Sequence, residues 1–289
     1  MIYVITGPTC LGKSETALFL AKKLNTEIVN GDAFQCYKEL NIGVAKPSDE
    51  FLKQVRHHLY SFLDTDYDYS IAEYQKNLRD KLDELLKTHK DVVLVGGSGL
   101  YIRSALFDYE FEESKKVDMS KYLEMDNRTL HDELVKIDPQ DAEKIHMNNR
   151  KRMLRAIEIY LSSGKSKSDI ISTQSHKPIY DVRFFVRDLD RDELYRRINE
   201  RVDKMIEDGL FDEAKSLLTK YPHSLHSLQA IGYKEFILVI KGEKTLADAV
   251  EQIKQNTRNY AKRQMTFIRH QFNVEFYKDD GDLWRKING

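Results

Sequence analysis

Gly7-Pro8-Thr9-Cys10-Leu11-Gly12-Lys13-Ser14 is the stretch on which the reading of this chain turns. It fits the pattern G-x-x-x-x-G-K-[ST], in which glycines let successive backbone N–H groups curl around a phosphate and the next helix adds its positive N-terminal end. Lys13 supplies a mobile cation, and the Ser14 hydroxyl can ligate Mg2+. The pattern has this meaning only between a strand and a helix. Ahead of it lies the β-rich run Ile2-Tyr3-Val4-Ile5, and over 14–24 the residues Ala17, Leu18, Leu20, Ala21 and Leu24 fall on one helical face. The expectation is a pyrophosphate cradle formed by Gly7, Thr9, Cys10, Leu11, Gly12, Lys13 and Ser14, with Ser14 as the metal ligand.

Outward from this loop, 26–30 predicts a second strand that stops at Gly31-Asp32. Residues 71–89 predict a charged amphipathic helix, and 91–95 an apolar strand ending in Gly96-Gly97-Ser98-Gly99. Strand and helix signals alternate, which is the pattern of βαβ units around a parallel sheet. The run Val92-Val93-Leu94-Val95 has no polar alternation and suits a strand covered on both faces. Beyond Leu106 the character changes to acidic and polar, then to basic and helical, with no strand signal. Roughly 109–147 reads as a helical insertion, and with the basic helix behind it the segment outside the core runs over 109–174. The run 182–186 returns the chain to the sheet. The rest reads as helical, with Leu194, Ile198, Val202, Met205 and Ile206 on one stripe. The expected fold is α/β: a P-loop NTPase-like parallel sheet flanked by helices, with 1–108 and 175–289 as the core and a helical insertion between.

Bulk composition narrows the function classes. The 46 basic and 47 acidic residues nearly cancel, so any nucleic-acid site must be a local patch rather than a property of the whole chain. Cys10 and Cys36 show no C-x-x-C or Cys/His pattern, which speaks against a disulfide framework and structural zinc. The start, Met-Ile-Tyr-Val-Ile-Thr-Gly, has no basic n-region, and no apolar run approaches the roughly 20 residues of a membrane span. A cytoplasmic protein without a membrane partner is expected.

A P-loop alone does not name a reaction. Motor ATPases and GTPases also need a carboxylate at a strand end to hold the metal, yet 91–95 ends in glycines. The first strand-end acid is Asp32. Strand C-terminal ends line the ligand crevice in open α/β sheets, so Asp32 is expected to face the P-loop, placed for base chemistry; a helix N-cap is the plain alternative. The Gly96–Gly99 amides and the Ser98 hydroxyl are expected to point into the same crevice, unless the run is an ordinary glycine turn. Arg197 and Arg201 stand i,i+4 on one helix, where they either clamp a leaving anion or are simply solvated. Residues 144–167 and 254–271 are both strongly basic, the second interleaved with Tyr260 and Phe267. Each reads as a polyanion site or as a solvated face.

Taken together, these blocks resemble the bacterial tRNA dimethylallyltransferases, also called tRNA isopentenyltransferases. The resemblance covers nearly the whole chain. It is carried by the P-loop, Gly31-Asp32-Ala33-Phe34-Gln35-Cys36-Tyr37, Ile42-Gly43-Val44-Ala45-Lys46-Pro47, His57-His58-Leu59 and Val95-Gly96-Gly97-Ser98-Gly99-Leu100-Tyr101. It continues through Asn149-Arg150-Lys151-Arg152-Met153-Leu154-Arg155-Ala156, Gln229-Ala230-Ile231-Gly232-Tyr233-Lys234-Glu235 and Tyr260-Ala261-Lys262-Arg263-Gln264. Ala33 stands where serine is usual, Ser98 where threonine is commoner, and the insertion is short for the family.

The resemblance implies transfer of a dimethylallyl group from dimethylallyl diphosphate to N6 of the adenosine 3′ to the anticodon of tRNA (position 37). It implies Asp32 as general base, Ser98 near the reacting centre, and Arg201 with Lys13 and Mg2+ on the leaving diphosphate. Contacts to the tRNA anticodon stem-loop are implied for Asp32, Ala33, Phe34, Gln35 and Ser98 around the base. Lys151, Arg152, Met153, Leu154, Arg155, Lys262 and Arg263 are implied further out. The rival readings are a small-molecule P-loop kinase and an NTP-dependent RNA-binding switch.

Overall fold

β1 (Ile2–Thr6) is buried along its whole length, with β4 paired on one side and β5 on the other. The computed structural model describes residues 1–111 and 117–289. In chain order, β1 is followed by α1 (Lys13–Leu24), β2 (Ile28–Asn30), α2 (Asp49–Leu52), β3 (His57–His58), α3 (Ile71–Leu85), β4 (Val92–Val95) and α4 (Gly99–Leu106). Five helices come next: α5 (Ser120–Glu124), α6 (Asn127–Ile137), α7 (Pro139–Lys144), α8 (Arg150–Ser163) and α9 (Lys167–Ser172). The chain ends with β5 (Val182–Arg187), α10 (Arg191–Glu207), α11 (Leu210–Lys220), α12 (Ile237–Ile240), α13 (Leu246–Gln271), β6 (Val274–Tyr277) and α14 (Asp280–Asn288). These residues form two units, Met1–Leu106 with Pro178–Gly289, and Phe107–Lys177.

The first unit is a six-stranded sheet in the order β3-β2-β4-β1-β5-β6, every pair parallel. In the central register Ile5 lies between Val95 and Phe185. One face of the sheet packs Ile5, Val93, Val95 and Phe185 against Ala17, Leu20 and Ala21 of α1 and Leu283 of α14. Reciprocal capping sets two of the helix starts. Ser70 and Glu73 form a capping box at α3, and Thr245 with Asp248 forms another at α13.

Several boundaries differ from the sequence reading. Thr26 lies outside β2 because its N–H caps the end of α1 at the Ala21 carbonyl and its hydroxyl donates to the Asp91 carbonyl. Helix α3 stops at Leu85, with 86–89 in a turn, and β5 extends one residue further, to Arg187. The expectation that everything after 186 is helical is overturned by β6. Its four residues are too short to show a period of two, and it is recognisable only by its pairing with β5. The basic stretch 144–167 is likewise not one helix, since 145–149 separates α7 from α8.

The second unit has its own core of Leu130, Leu134, Ala142, Ile145, Met153, Ala156 and Ile157. Met153 is completely buried there, which corrects its assignment as an RNA contact: it faces inward from α8. Leu154 is half-buried against the same core. Arg150 is also internal to the unit. Its guanidinium donates to the carbonyls of Met125 and Leu123, both at 2.6 Å. Lys167 pairs with the buried Asp141 at 2.8 Å. On α8, Lys151, Arg152 and Arg155 remain exposed, and Arg155 pairs with Glu158. No helix among the described residues is long and apolar enough to cross a membrane.

Candidate active site at the P-loop

The loop leaving β1 is shaped by backbone that few residues adopt. Gly7 has φ 135° and Gly12 φ 70°, and a Cβ on Gly7 would stand 2.8 Å from Leu11 Cδ1. Cys10, with φ 66°, holds a left-handed conformation that is strained for a side-chain-bearing residue. Lys13 opens α1 and folds back so that Nζ donates to the Pro8 carbonyl at 2.7 Å. Arg201 reaches the same loop from α10, its Nη1 donating to Thr9 Oγ1 at 3.3 Å with Cys10 Sγ at 3.7 Å. Burial, and then the charge of Arg201, lowers the Lys13 ammonium to about 8. Two cations thus converge on a loop of backbone amides. An anion there relieves their repulsion, as expected of a phosphate site.

Asp32 follows β2 at the point where two backbones cross. A Cβ on Gly96 would lie 2.1 Å from the Gly31 carbonyl carbon, and the Gly31 amide donates to the Val95 carbonyl at 2.7 Å. Asn30 Oδ1 accepts from the Asp32 amide, and Asp32 Oδ1 accepts from the Phe34 amide, each at 2.9 Å. This is an Asx turn. No helix starts here, since α2 begins at Asp49, so the N-cap alternative is set aside. Burial pushes the Asp32 carboxyl upward, opposed first by the Phe34 amide and then by the Lys13 charge. A carboxylate made more basic than usual suits proton abstraction.

The glycine run after β4 is explained mainly by packing. Besides the Gly96 crossing, a Cβ on Gly97 would meet Gln264 Nε2 at 2.4 Å, and one on Gly99 would meet the Phe267 ring at 2.5 Å. Ser98 is buried, and its hydroxyl accepts from the Ala33 amide at 3.0 Å, tying β4 to the Asp32 turn. Gln35 donates Nε2 to the carbonyls of Val44 and Ala45, at 3.1 and 3.2 Å, leaving Oε1 for other partners.

Two residues of α13 that were not singled out as site residues complete the arrangement. Buried Gln264 accepts from the Thr9 amide at 3.2 Å and donates to the Gly97 carbonyl at 2.8 Å, so one amide bridges the P-loop and the β4 turn. Tyr260 lies one turn earlier; burial and then the Asp32 charge push its hydroxyl upward. Their i,i+4 spacing inside the block 260–264 was the available signal.

A cavity of about 830 Å3 contains Lys13, Ser14, Asp32, Gln35 and Arg201 in its walls. A smaller one of about 280 Å3 is lined by Ala33, Ser98 and Phe267, and shares Phe34, Gly97, Tyr260, Arg263 and Gln264 with the first. The P-loop and the Asp32–Ser98 turn are therefore reached through adjoining spaces. The cations are not equivalent. Arg197 pairs with Glu193 through its Nε at 2.7 Å and, like Arg201, lines the larger cavity. On α13, Lys254 pairs with Asp203 and Glu251, and Arg258 donates to Asn199, which makes this half of the 254–271 stretch structural. Lys262 and Arg263 are exposed, with the Arg263 guanidinium 5.9 Å from the Tyr260 ring.

No cluster of three or more His, Cys, Asp or Glu able to hold a metal exists among the described residues. Ser14, however, lines the larger cavity beside Lys13, and its hydroxyl has no hydrogen-bond partner among the described residues. Mg2+ keeps waters and phosphate oxygens as most of its ligands, so a single hydroxyl beside a loop suited to a phosphate fits the ion.

Fold and site together define a P-loop α/β transferase. The chain belongs to the IPP transferase family, whose model matches residues 35–271. It is 40% identical to the tRNA dimethylallyltransferase of Anoxybacillus flavithermus, over 99% of this chain and 94% of that protein. It is 42% identical to the tRNA dimethylallyltransferase of Bacillus subtilis, over 96% and 90%. Among solved structures, the tRNA delta(2)-isopentenylpyrophosphate transferase of Staphylococcus epidermidis superposes with a TM-score of 0.74 at 37% identity, covering 99% of this chain and 97% of that one. A eukaryotic dimethylallyltransferase acting on tRNA superposes at 0.85 with 28% identity, covering 99% and 77%.

Proposed function

We propose that this chain transfers the dimethylallyl group of dimethylallyl diphosphate to N6 of the adenosine 3′ to the anticodon (position 37) of a tRNA. The new bond joins N6 to the allylic C1, the C1–O bond to diphosphate breaks, and the N6 proton passes to Asp32. The observation that carries this reading is that Lys13, Arg201 and Asp32 line one cavity: two cations for a diphosphate and one half-buried carboxylate for a proton. The N6 lone pair of adenine is delocalised into its ring, so attack needs a base as the bond forms. Lys13 and Arg201 neutralise charge that grows on the leaving oxygens. Mg2+, held by Ser14, supplies further neutralisation of the diphosphate when bound.

The base must leave its stack to reach Asp32. Ala33, Phe34, Gln35 and Ser98 surround it, with Gln35 contributing Oε1. Lys262 and Arg263, and on the second unit Lys151, Arg152, Leu154 and Arg155, contact the anticodon stem-loop through phosphate and shape. An acceptor of this kind places the protein in the cytoplasm. A small-molecule kinase would turn over ATP without RNA, and an NTP-dependent RNA-binding switch needs a metal-holding acid where Gly96 follows β4. Incubation with labelled dimethylallyl diphosphate, Mg2+ and unmodified tRNA should place label in the RNA. Steady ATP hydrolysis in the absence of RNA, with no label transferred, would overturn the proposal.

A further inference from the structure

The larger cavity has one further wall. Residues 43–48, between β2 and α2, line it with no regular structure to hold them in place. Two bonds inside the loop, Ala45 N to the Ile42 carbonyl at 2.9 Å and Lys46 N to the Asn41 carbonyl at 3.0 Å, are joined by an anchor from outside it. Glu213 on α11 points its carboxylate at three consecutive amides, with Oε2 accepting from Asn41 N at 3.2 Å and Ile42 N at 3.0 Å. Its Oε1 accepts from Ile42 N at 3.0 Å and Gly43 N at 3.1 Å. The buried Tyr233 hydroxyl adds a fourth donor to Oε1 at 2.7 Å. Successive N–H groups turned to one point form an anion nest, and here the anion is a side chain of the protein itself. The loop cannot slide past this anchor: a Cβ on Gly43 would lie 2.6 Å from the Tyr233 ring.

From the anchor the contacts run on toward the chemistry. The carbonyls of Val44 and Ala45 accept from Gln35, three residues beyond Asp32 and in the same turn. Lys46 closes the loop on itself, its ammonium donating to the carbonyls of Tyr37 and Lys38 and to Asn41 Oδ1. Glu213 is itself half-buried and is not among the residues lining the cavity.

We propose that Glu213 is a positioning residue of the donor cavity, gathering the amides of 41–43 so that residues 43–48 present a fixed wall to the allylic diphosphate. This rests on the donor reading given above. A carboxylate suits the place because it only accepts, and four donors meet it. Glu213→Gln turns an NH2 toward at least one of those donors and releases the loop.

The test separates positioning from folding. In Glu213→Gln the KM for dimethylallyl diphosphate should rise about tenfold. A residue that served only stability would lower the active fraction, and with it the apparent kcat, at unchanged KM. Tyr233→Phe removes one donor and leaves the three amides paired, so its KM should stay within about twofold of native. Hydrogen exchange on the native protein supplies the second arm. The amides of Ile42 and Gly43 should exchange as slowly as those of α11, and Glu213→Gln should accelerate them. Unchanged KM in a folded Glu213→Gln variant, or native amides exchanging like those of an open loop, would overturn the inference. The exchange arm requires no turnover, so failure of the native protein to prenylate RNA would count against the proposed function and not against this anchor.

Discussion

Asp32→Asn keeps an acceptor for the Phe34 amide, now 2.9 Å away, and removes the charge that would take the N6 proton. Loss of a general base lowers rate by roughly 10²–10⁴-fold, which corresponds to about 2.7–5.4 kcal/mol of barrier. Stability should move the other way. Burial raises the Asp32 carboxyl, so the folded protein holds this proton more tightly than the unfolded chain does. The group's stabilising contribution is full below the unfolded carboxyl value, near 3.9, and is lost as pH rises through the raised folded value. Asparagine undergoes no such loss. At neutral pH the variant should melt no lower than the native protein, and the gap should close as pH falls toward about 4. Single-turnover transfer, with enzyme in excess over labelled donor, measures the first effect, and thermal melts across that pH range the second. A folded variant that transfers at close to native speed would remove Asp32 from the proton step. If it were instead a capping residue, the loss would appear as about 1 kcal/mol of stability with turnover intact.

Affinity for inorganic pyrophosphate should weaken as pH rises past about 8, where free Lys13 loses its proton; calorimetry showing no change across that value would contradict the cationic role. Arg263→Ala should flatten the dependence of log tRNA affinity on log salt by roughly 0.7–1, whereas Lys254→Ala should leave the slope alone because Asp203 and Glu251 already hold that charge. Equal slopes for both variants would return α13 to a plain solvated face. Met153→Ala should cost the second unit about 2–5 kcal/mol without altering the salt slope, since the side chain is fully buried in that unit's core. A stable Met153→Ala variant with weakened RNA binding would reverse its placement.

The parts of this protein legible from sequence are those in which the determining interactions are close along the chain. The cradle from Gly7 to Ser14 needs only a strand, two glycines with positive φ and a helix start, all within one short stretch. The same holds for the unalternated run of β4. Asp32 was readable because parallel α/β topology puts strand ends at the ligand crevice wherever the strands pair. What depends on partners far apart in sequence was not legible. β6 is a strand only because β5 lies beside it. Gly96, Gly97 and Gly99 look like a ligand turn until Gly31, Gln264 and Phe267 are seen occupying the space their Cβ atoms would need. Basic residues look alike in a string of letters, yet Arg150 and Lys254 are committed to partners while Arg201 lines the cavity and Lys262 and Arg263 are exposed. The resemblance implies a contact for Met153 along with its cationic neighbours, but helical periodicity turns it into the core. Gln264 and Glu213 gain their importance from loops more than 160 residues away, at separations of 255 and 172. Local propensity and motif chemistry are written residue by residue, whereas the pairing of distant charges, amides and backbones exists only once the chain has folded.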